Sequence, residues 1–178
     1  IATSSVTKIV NDRANANVGD VINWFADGQA LLIKIVSDKR EALINTKTAV
    51  PTGPTISVND GKKAQNRTYQ DLLKNKSDEH NFEQLAQSEL YKVSLNGKME
   101  KWLSSAIYTN VNFSPDGNYV LIETVEKPFS YLVPYQRFPS KTIVYTKNGQ
   151  HVETVLEVPL VEDLPQGFMA VREGKRNF

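Results

Sequence analysis

The sequence has 178 residues, of which 40% are hydrophobic and 23% charged, and its 21 basic and 20 acidic side chains leave a net charge of +1. This composition is typical of a folded globular protein, and the balanced charge excludes a general electrostatic attraction to nucleic acid or to an anionic membrane surface. Cysteine is absent, which excludes thiolate catalysis, cysteine-based zinc sites and disulfides, and no apolar run approaches the roughly 18 residues that span a bilayer.

The first predicted element along the chain is a hairpin with Asp27-Gly28 at its turn. An Asp-Gly pair supplies the positive backbone φ that a tight hairpin turn requires, and the flanking β-branched and aromatic residues favour extended strands. The second strand, residues 30–36, is apolar on both faces for much of its length, although Lys34 interrupts the run, and the same holds for residues 119–125 after a later Asp-Gly turn. Such a strand is typical of a small sheet that lies between two other sheets, so we expect it to be buried.

Residues 37–88 are predicted to be an insertion within the first repeat. They include a Pro/Gly loop at residues 51–54 and, further along, signals for helical structure. Ser77 is followed by two acidic residues, which favours a helix start there because carboxylates stabilise the positive end of the helix dipole. The predicted apolar face of this helix is Phe82, Leu85 and Ala86, and a shorter turn capped by Thr68 is predicted to carry Tyr69, Leu72 and Leu73.

An internal repeat organises the rest of the chain. Residues 111–122 align without gaps on residues 22–33, and the aligned stretch contains a second Asp-Gly turn at Asp116-Gly117. Each of these units is followed by a hairpin with an Asn-Gly turn, so the two repeats predict four antiparallel strands each. The Asn-Gly turns are Asn96-Gly97 and Asn148-Gly149.

Four antiparallel strands repeated in tandem are typical of the blades of a β-propeller. We predict a mainly β chain with about two four-stranded antiparallel blades and a loop-plus-helix insertion in the first blade. The first blade covers residues 1–103, the second covers 106–158, and residues 165–178 begin a further blade. Because blades normally bury their faces against neighbours, a partial propeller is expected to self-associate or to rearrange at its ends.

Residues 127–139 have the most unusual composition in the chain, with three prolines and four aromatic residues among thirteen positions. Proline excludes regular ladder pairing, so this segment is predicted to be an ordered loop between strands. Its rings are predicted to pack on a blade. The alternatives are direct contact with a substrate, through residues such as Tyr131 and Tyr135, or contact with another domain.

No catalytic site is predicted in the chain. The sequence lacks a nucleophile turn of the Gly-x-Ser-x-Gly type, and its two histidines, His80 and His151, are interpreted as surface residues. Asp27 and Asp116 occupy equivalent turns, but one carboxylate per turn lacks the converging oxygen ligands that calcium requires. We therefore expect neither a metal nor another cofactor.

Several runs of the sequence resemble a known family. They are similar to the propeller of bacterial and chloroplast glutamyl endopeptidases in the prolyl oligopeptidase family, and further runs resemble the inserted segment of that propeller. The resemblance implies a two-domain enzyme, in which an N-terminal propeller covers a C-terminal α/β-hydrolase domain that carries a Ser-Asp-His triad and cleaves after acidic residues. The propeller runs are residues 128–134, 137–139, 159–160 and 162–163, and those of the inserted segment are residues 50–54 and 67–73.

On this resemblance, the chain is a non-catalytic propeller segment of a serine endopeptidase. It is expected to gate the access of peptide substrates and to dock on the hydrolase domain, with neither nucleic acid nor a membrane as partner. The resemblance favours a bacterial protein exported to the periplasm. The alternative is a stand-alone propeller-type module that binds a peptide or a protein and has no attached hydrolase.

One residue of the loop is a hypothetical substrate contact. Cleavage after Glu requires a cation for the side-chain carboxylate of the substrate, and Arg is the best bidentate partner for a carboxylate. Arg137 is our hypothesis for this contact. The alternative is an arginine that pairs with a neighbouring acid or bridges the blade to the hydrolase domain.

Overall fold

The computed structural model describes residues 6, 8–10, 13–45, 48, 53, 69–162, 171 and 174–175. The strands form one open antiparallel sheet in which sequence order is also spatial order. The strands are β1 (Ile22–Trp24), β2 (Ala30–Ile35), β3 (Ser88–Ser94), β4 (Met99–Phe113), β5 (Tyr119–Val125), β6 (Ser140–Thr146) and β7 (His151–Val158). The helical elements are α1 (Lys76–Ala86), between β2 and β3, and a one-turn 3-10 helix, Tyr135–Arg137, between β5 and β6.

All four predicted hairpins are confirmed. Each predicted Asp-Gly or Asn-Gly pair lies between two paired antiparallel strands, and the four glycines have φ values between 66° and 85°. The prediction of a buried second strand is confirmed for β2, whose six residues are all buried. For β5 it is wrong on one face, where Tyr119 is exposed and Leu121 and Glu123 are half-buried. The turns at residues 27–28 and 116–117 join β1 to β2 and β4 to β5; those at 96–97 and 148–149 join β3 to β4 and β6 to β7.

The structure corrects the prediction at β4. The sequence predicted separate strands on either side of a boundary near residue 104, but β4 is one continuous strand of 15 residues. Its residues 99–106 pair with β3 and its residues 107–113 pair with β5, with register shifts at residues 104–105 and 109, so the pairing partner changes along one strand. We call β1–β3 with residues 99–106 the first unit, and residues 107–113 with β5–β7 the second unit.

The main core lies between the two units. One face of β2 packs against one face of β5, and the Phe25 ring meets the edge of Phe113 with 4.9 Å between centroids. Leu32 and Ile122 are almost completely inaccessible to solvent. The buried members of this cluster are Phe25, Ala30, Leu32, Leu90, Tyr108, Val111, Val120 and Ile122.

The outer faces of the two units differ. The outer face of the first unit, with Ile33 and Val93 at its centre, is covered by N-terminal residues that include Ile9 and Val10. On the second unit, Tyr119 is 46% exposed and Leu121 is half-buried. A shallow groove of about 170 Å³ crosses this face, and its walls are Asn110, Asn112, Leu121, Glu123 and Thr142.

The predicted helix exists, but its start and the turn before it are corrected. The N-cap is Asn75 rather than Ser77, because the Asn75 side chain accepts a hydrogen bond of 2.9 Å from the backbone N–H of Asp78. Residues 69–73 are not helical, since Asp71 has a left-handed φ of 57° that interrupts a helix. Thr68, the loop at residues 51–54 except 53, and most of residues 165–178 lie outside the described residues.

Candidate functional site

The sequence-predicted contact residues lie in the loop between β5 and β6, which packs against α1. The prediction of an ordered loop with packed rings is confirmed, since residues 126–139 include the one-turn helix at Tyr135–Arg137 and hold a ring cluster. The backbone N–H of Glu126 donates to the Pro139 carbonyl at 2.7 Å, which closes the base of the loop. We call α1 together with residues 126–139 the loop–helix junction.

Phe82 of α1 is the centre of the aromatic cluster. Its ring lies 5.2 Å from Phe129, 5.9 Å from Phe138 and 6.0 Å from Tyr135, measured between centroids. Phe129 and Phe138 also stack on each other at 5.2 Å. Rings at these separations gain stabilisation beyond their buried area. The Tyr135 ring therefore contributes to holding α1 against the loop.

Ion pairs and hydrogen bonds complete the loop–helix junction. The Tyr131 hydroxyl donates to Glu79 at 2.9 Å, and Lys76 donates to the same carboxylate at 2.8 Å. The hydrogen bond from Lys76 is the main cause that lowers the pKa of the Glu79 carboxyl. The pKa of Tyr131 is raised, first by partial desolvation and second by its hydrogen bond to Glu79. Lys127 pairs with Glu83 at 2.7 Å. The Tyr131 hydroxyl thus has an internal partner on α1.

Arg137 differs from the two tyrosines in what its side chain contacts. Its backbone N–H donates to Pro134 at 2.9 Å and its carbonyl accepts from Val161 at 3.1 Å, so the main chain is held on both sides. The side chain is half-buried, and among the described residues no carboxylate pairs with its guanidinium. A fixed main chain with an unpaired guanidinium is chemically suited to bind a carboxylate from another molecule.

The opposite face of α1 binds a segment that the sequence did not predict. Residues 41–44, which we call the strap, are held by side chains of α1 through the main chain of the strap. Asn81 makes two hydrogen bonds of 2.8 Å with the backbone N–H and C=O of Ile44. Gln84 accepts from the backbone N–H of Glu41 at 2.8 Å. The one sequence feature that indicates this contact is the pair Asn81 and Gln84, which are three positions apart and therefore lie on the same face of the helix.

The environment of Lys34 on β2 is a second feature that was not predicted from the sequence. Its side chain is only 2% exposed, and its ammonium donates to the backbone carbonyls of Val18 and, at 3.4 Å, of Tyr108. Burial lowers the pKa of Lys34 to about 8, and the nearby charge of Asp20 opposes this effect. Lys34 therefore links the N-terminal segment, β2 and β4 at the border of the two units.

Neither histidine belongs to a nucleophilic site among the residues that the structure describes. The Nε2 atom of His80 lies 3.0 Å from the Ala42 carbonyl, and that of His151 lies 3.3 Å from the Thr154 hydroxyl. Neither ring is hydrogen-bonded to a serine hydroxyl within the described residues. In the same part of the chain, no cluster of three or more potential metal-ligating side chains occurs, and no helix is long and apolar enough to cross a membrane.

Two curated plant proteins are similar to the chain, and both are named probable chloroplastic glutamyl endopeptidase. The protein from Oryza sativa subsp. japonica is 39% identical over 132 residues, and that from Arabidopsis thaliana is 36% identical over 155 residues. These alignments cover 74% and 86% of the chain but only 14% and 16% of the relatives' own lengths. No protein-family model and no solved structure matches the chain.

The similarity relates most of the chain to a segment of proteins that are named as peptidases. It supports the peptidase part of the resemblance found in the sequence. Because both relatives are plant proteins with chloroplastic names, the similarity gives no support to a bacterial origin.

Proposed function

We propose that the chain is a non-catalytic propeller segment of a serine endopeptidase, which gates peptide access to a separate hydrolase domain. The observation that carries the proposal is the similarity of 74% and 86% of the chain to about one-seventh of two proteins named glutamyl endopeptidase. A segment of this size leaves most of the relatives' length for another domain. The cleavage chemistry is assigned to that domain, which is expected to have an α/β-hydrolase fold.

The strand pairing of the two units supports the propeller part of the proposal. Four strand segments pair in order in each unit, and β4 serves as the last segment of the first unit and the first segment of the second. The faces of the two units pack on each other, as neighbouring propeller blades do. The partly exposed outer face of the second unit then receives a further blade, or a second copy of the chain when no further blade is present.

The coding sequence beyond Phe178 gives the simplest test. The proposal predicts that the open reading frame continues for several hundred residues and encodes a Gly-x-Ser-x-Gly motif followed by Asp and His. A stop codon soon after Phe178 would reject it and favour the stand-alone interaction module. The 178-residue chain itself is expected to show no turnover of fluorogenic Glu-containing peptides, and serine-inhibitor-sensitive activity in the pure chain would contradict its non-catalytic role.

We also propose that Arg137 binds the carboxylate of the substrate residue after which the parent enzyme cleaves. The main chain of Arg137 is fixed and its guanidinium pairs with no carboxylate among the described residues, which supports this role. Tyr131 and Tyr135 support it indirectly by fixing the loop. In the parent enzyme, Arg137→Ala should reduce the preference for Glu over Gln peptides by at least tenfold. The exposed neighbour Gln136→Ala is the matched control, and an unchanged preference in Arg137→Ala would remove the idea.

A further inference from the structure

The strap is held almost entirely through its backbone. The Oδ1 atom of Asn81 accepts from the Ile44 N–H, and its Nδ2 donates to the Ile44 C=O, both at 2.8 Å. Gln84 accepts from the Glu41 N–H at 2.8 Å. His80 Nε2 lies 3.0 Å from the Ala42 carbonyl. Three side chains on one helix face thus contact backbone groups of three strap residues.

The side chains of the strap contribute little to this contact. Those of Glu41, Ala42 and Leu43 are exposed, and only Ile44 is half-buried. Glu41 lies 3.9 Å from the ring of His80, but its side chain is 72% exposed. Recognition is therefore directed at the backbone, which every peptide possesses, and not at a particular sequence.

The face of α1 that holds the strap does not depend on the strap for its position. The helix is fixed by Phe82 and Ala86, which pack in the aromatic cluster, and by the Asn15 side chain, which donates to the carbonyls of Leu85 and Gln87 at 2.9 and 3.0 Å. Within the described residues, the side chains of Asn81 and Gln84 have no hydrogen-bond partner outside the strap. Release of the strap would leave their amide groups in place and exposed to another ligand.

From these contacts we infer that His80, Asn81 and Gln84 form a docking site for an extended peptide, which the strap occupies in competition with peptides from outside the chain. The paired donor and acceptor of Asn81 match the N–H and C=O of one extended residue, as a neighbouring β-strand would. A segment with few buried side chains opens more readily than the core, so the strap can exchange. The site deepens the proposed gating role and rests on it for its biological meaning.

The test measures the binding of an unstructured ten-residue Gly/Ser/Ala peptide with a fluorescent label to the 178-residue chain. Ile44→Pro weakens the strap without changing α1, because proline lacks the N–H that bonds to Asn81. We expect Ile44→Pro to lower the Kd of the labelled peptide at least tenfold, and Asn81→Ala in the same chain to reverse that gain. A labelled peptide with N-methylated backbone amides should not bind.

The matched control is Gln87→Ala, which removes an amide side chain from the end of the same helix without a strap contact, since Gln87 bonds to Glu83 and Ser105 instead. In a parallel hydrogen-exchange measurement, Asn81→Ala should raise the exchange rate of the Ile44 amide at least tenfold, whereas Gln87→Ala should leave that rate unchanged. If circular dichroism shows that Asn81→Ala fails to fold, Gln84→Ala replaces it in both measurements, with exchange followed at the Glu41 amide.

Equal peptide affinity of the native chain and Ile44→Pro, or gained affinity that survives Asn81→Ala, would overturn the docking site. Neither result bears on whether a hydrolase domain follows Phe178, so failure of this inference is distinguishable from failure of the proposed function.

Discussion

The two units have the same turn chemistry but different surroundings. A Cβ atom at Gly117 of the second unit would lie 2.5 Å from the Cβ of Ala26 in the first unit, and one at Gly149 would lie 2.8 Å from the Trp102 carbonyl. At Gly28 of the first unit, no atom of the described residues beyond its two chain neighbours lies within 4 Å of the same position. The turns of the second unit are thus packed on the first unit, while the Asp-Gly turn of the first unit faces open space.

The two units therefore pack on each other asymmetrically. The residues close to each turn are enough to predict it, but the space around the glycine of the turn depends on the unit that precedes it. The same asymmetry holds for the sheet faces, since the outer face of the first unit is covered by residues such as Ile9 and Val10 while Tyr119 on the second is 46% exposed. We therefore expect stability to depend on the contact between the units and on the covered outer face of the first unit, and little on the outer face of the second.

The largest expected effect comes from the core between the units. Ile122 is completely buried on the inner face of β5, whereas its neighbour Leu121 is half-buried on the outer face. Replacing Ile122 with Ala should lower the free energy of unfolding by about 3–4 kcal/mol, because it removes buried methyl groups and leaves a cavity. Urea denaturation should show a loss of about 1 kcal/mol or less for Leu121→Ala. Similar losses for the two variants would contradict the assignment of the faces.

The second prediction compares the loss of stability caused by the same substitution in the two Asp-Gly turns. Gly28→Ala and Gly117→Ala both introduce a Cβ at a positive φ, of 66° and 68° respectively, which costs about 1–2 kcal/mol. Gly117→Ala adds the overlap with Ala26, so its total loss should be about 2–4 kcal/mol. Thermal unfolding of the two variants measures the difference. Ala26→Gly should recover part of the loss in Gly117→Ala but none in Gly28→Ala.

The third prediction concerns the buried charge between the units. The pKa of Lys34 is lowered to about 8 in the folded protein, from an ordinary value near 10.5. Between these values the unfolded chain binds more protons, so the stability should rise with pH from about 8 to 9.5, by on the order of 2 kcal/mol. Burial raises the pKa of Tyr108, which makes stability fall with pH, but only once the pH exceeds the ordinary tyrosine pKa of 10.0.

Lys34→Met is the variant that isolates this effect. Without the titrating ammonium, the free energy of unfolding should be nearly constant over the same pH range. Denaturant titrations at several pH values measure it, and an equal rise in both proteins would assign the pH dependence to other groups.

The smallest effect distinguishes the hydrogen bonds of the two turns. In the Asp-Gly turn of the second unit, the Asp116 carboxylate accepts hydrogen bonds from Ser114 and Asn118. These bonds, the one from Ser114 most strongly, lower the pKa of Asp116 to about 2. The aligned position of Ser114 in the first turn is Phe25, which has no hydroxyl. In an NMR titration, Ser114→Ala should raise the pKa of Asp116, with little change in overall stability because the carboxylate is exposed. The contribution of Asp116 is lost as the pH falls through about 2, and an unchanged titration would remove the role of Ser114.

The parts of the fold that could be predicted are those with local causes. The four turns and the burial of β2 follow from residue types within a few positions. The continuity of β4 could not be predicted, because its two halves pair with partners on opposite sides of the strand. The cap at Asn75 was missed because Ser77 carries an equally favourable local pattern.

The functional features that were missed depend on distant parts of the chain. Asn81 and the Ile44 backbone are 37 residues apart, and no local pattern connects them. Lysine is usually exposed, so the burial of Lys34 follows only from the carbonyls of Val18 and Tyr108 that the fold brings to it. The loop of residues 127–139 could be recognised from its composition, but its helix partner Phe82 could not.

The central claim is that the outer face of the second unit receives a further sheet in the longer protein that we propose. The chain has no cysteine, so Tyr119→Cys provides a unique thiol on this face. The rate of its reaction with a maleimide should be measured in the 178-residue chain, at concentrations where it is monomeric, and in the longer protein that the proposal requires. We expect rapid labelling in the chain and labelling at least a hundredfold slower in the longer protein. Equal rates in both would contradict it.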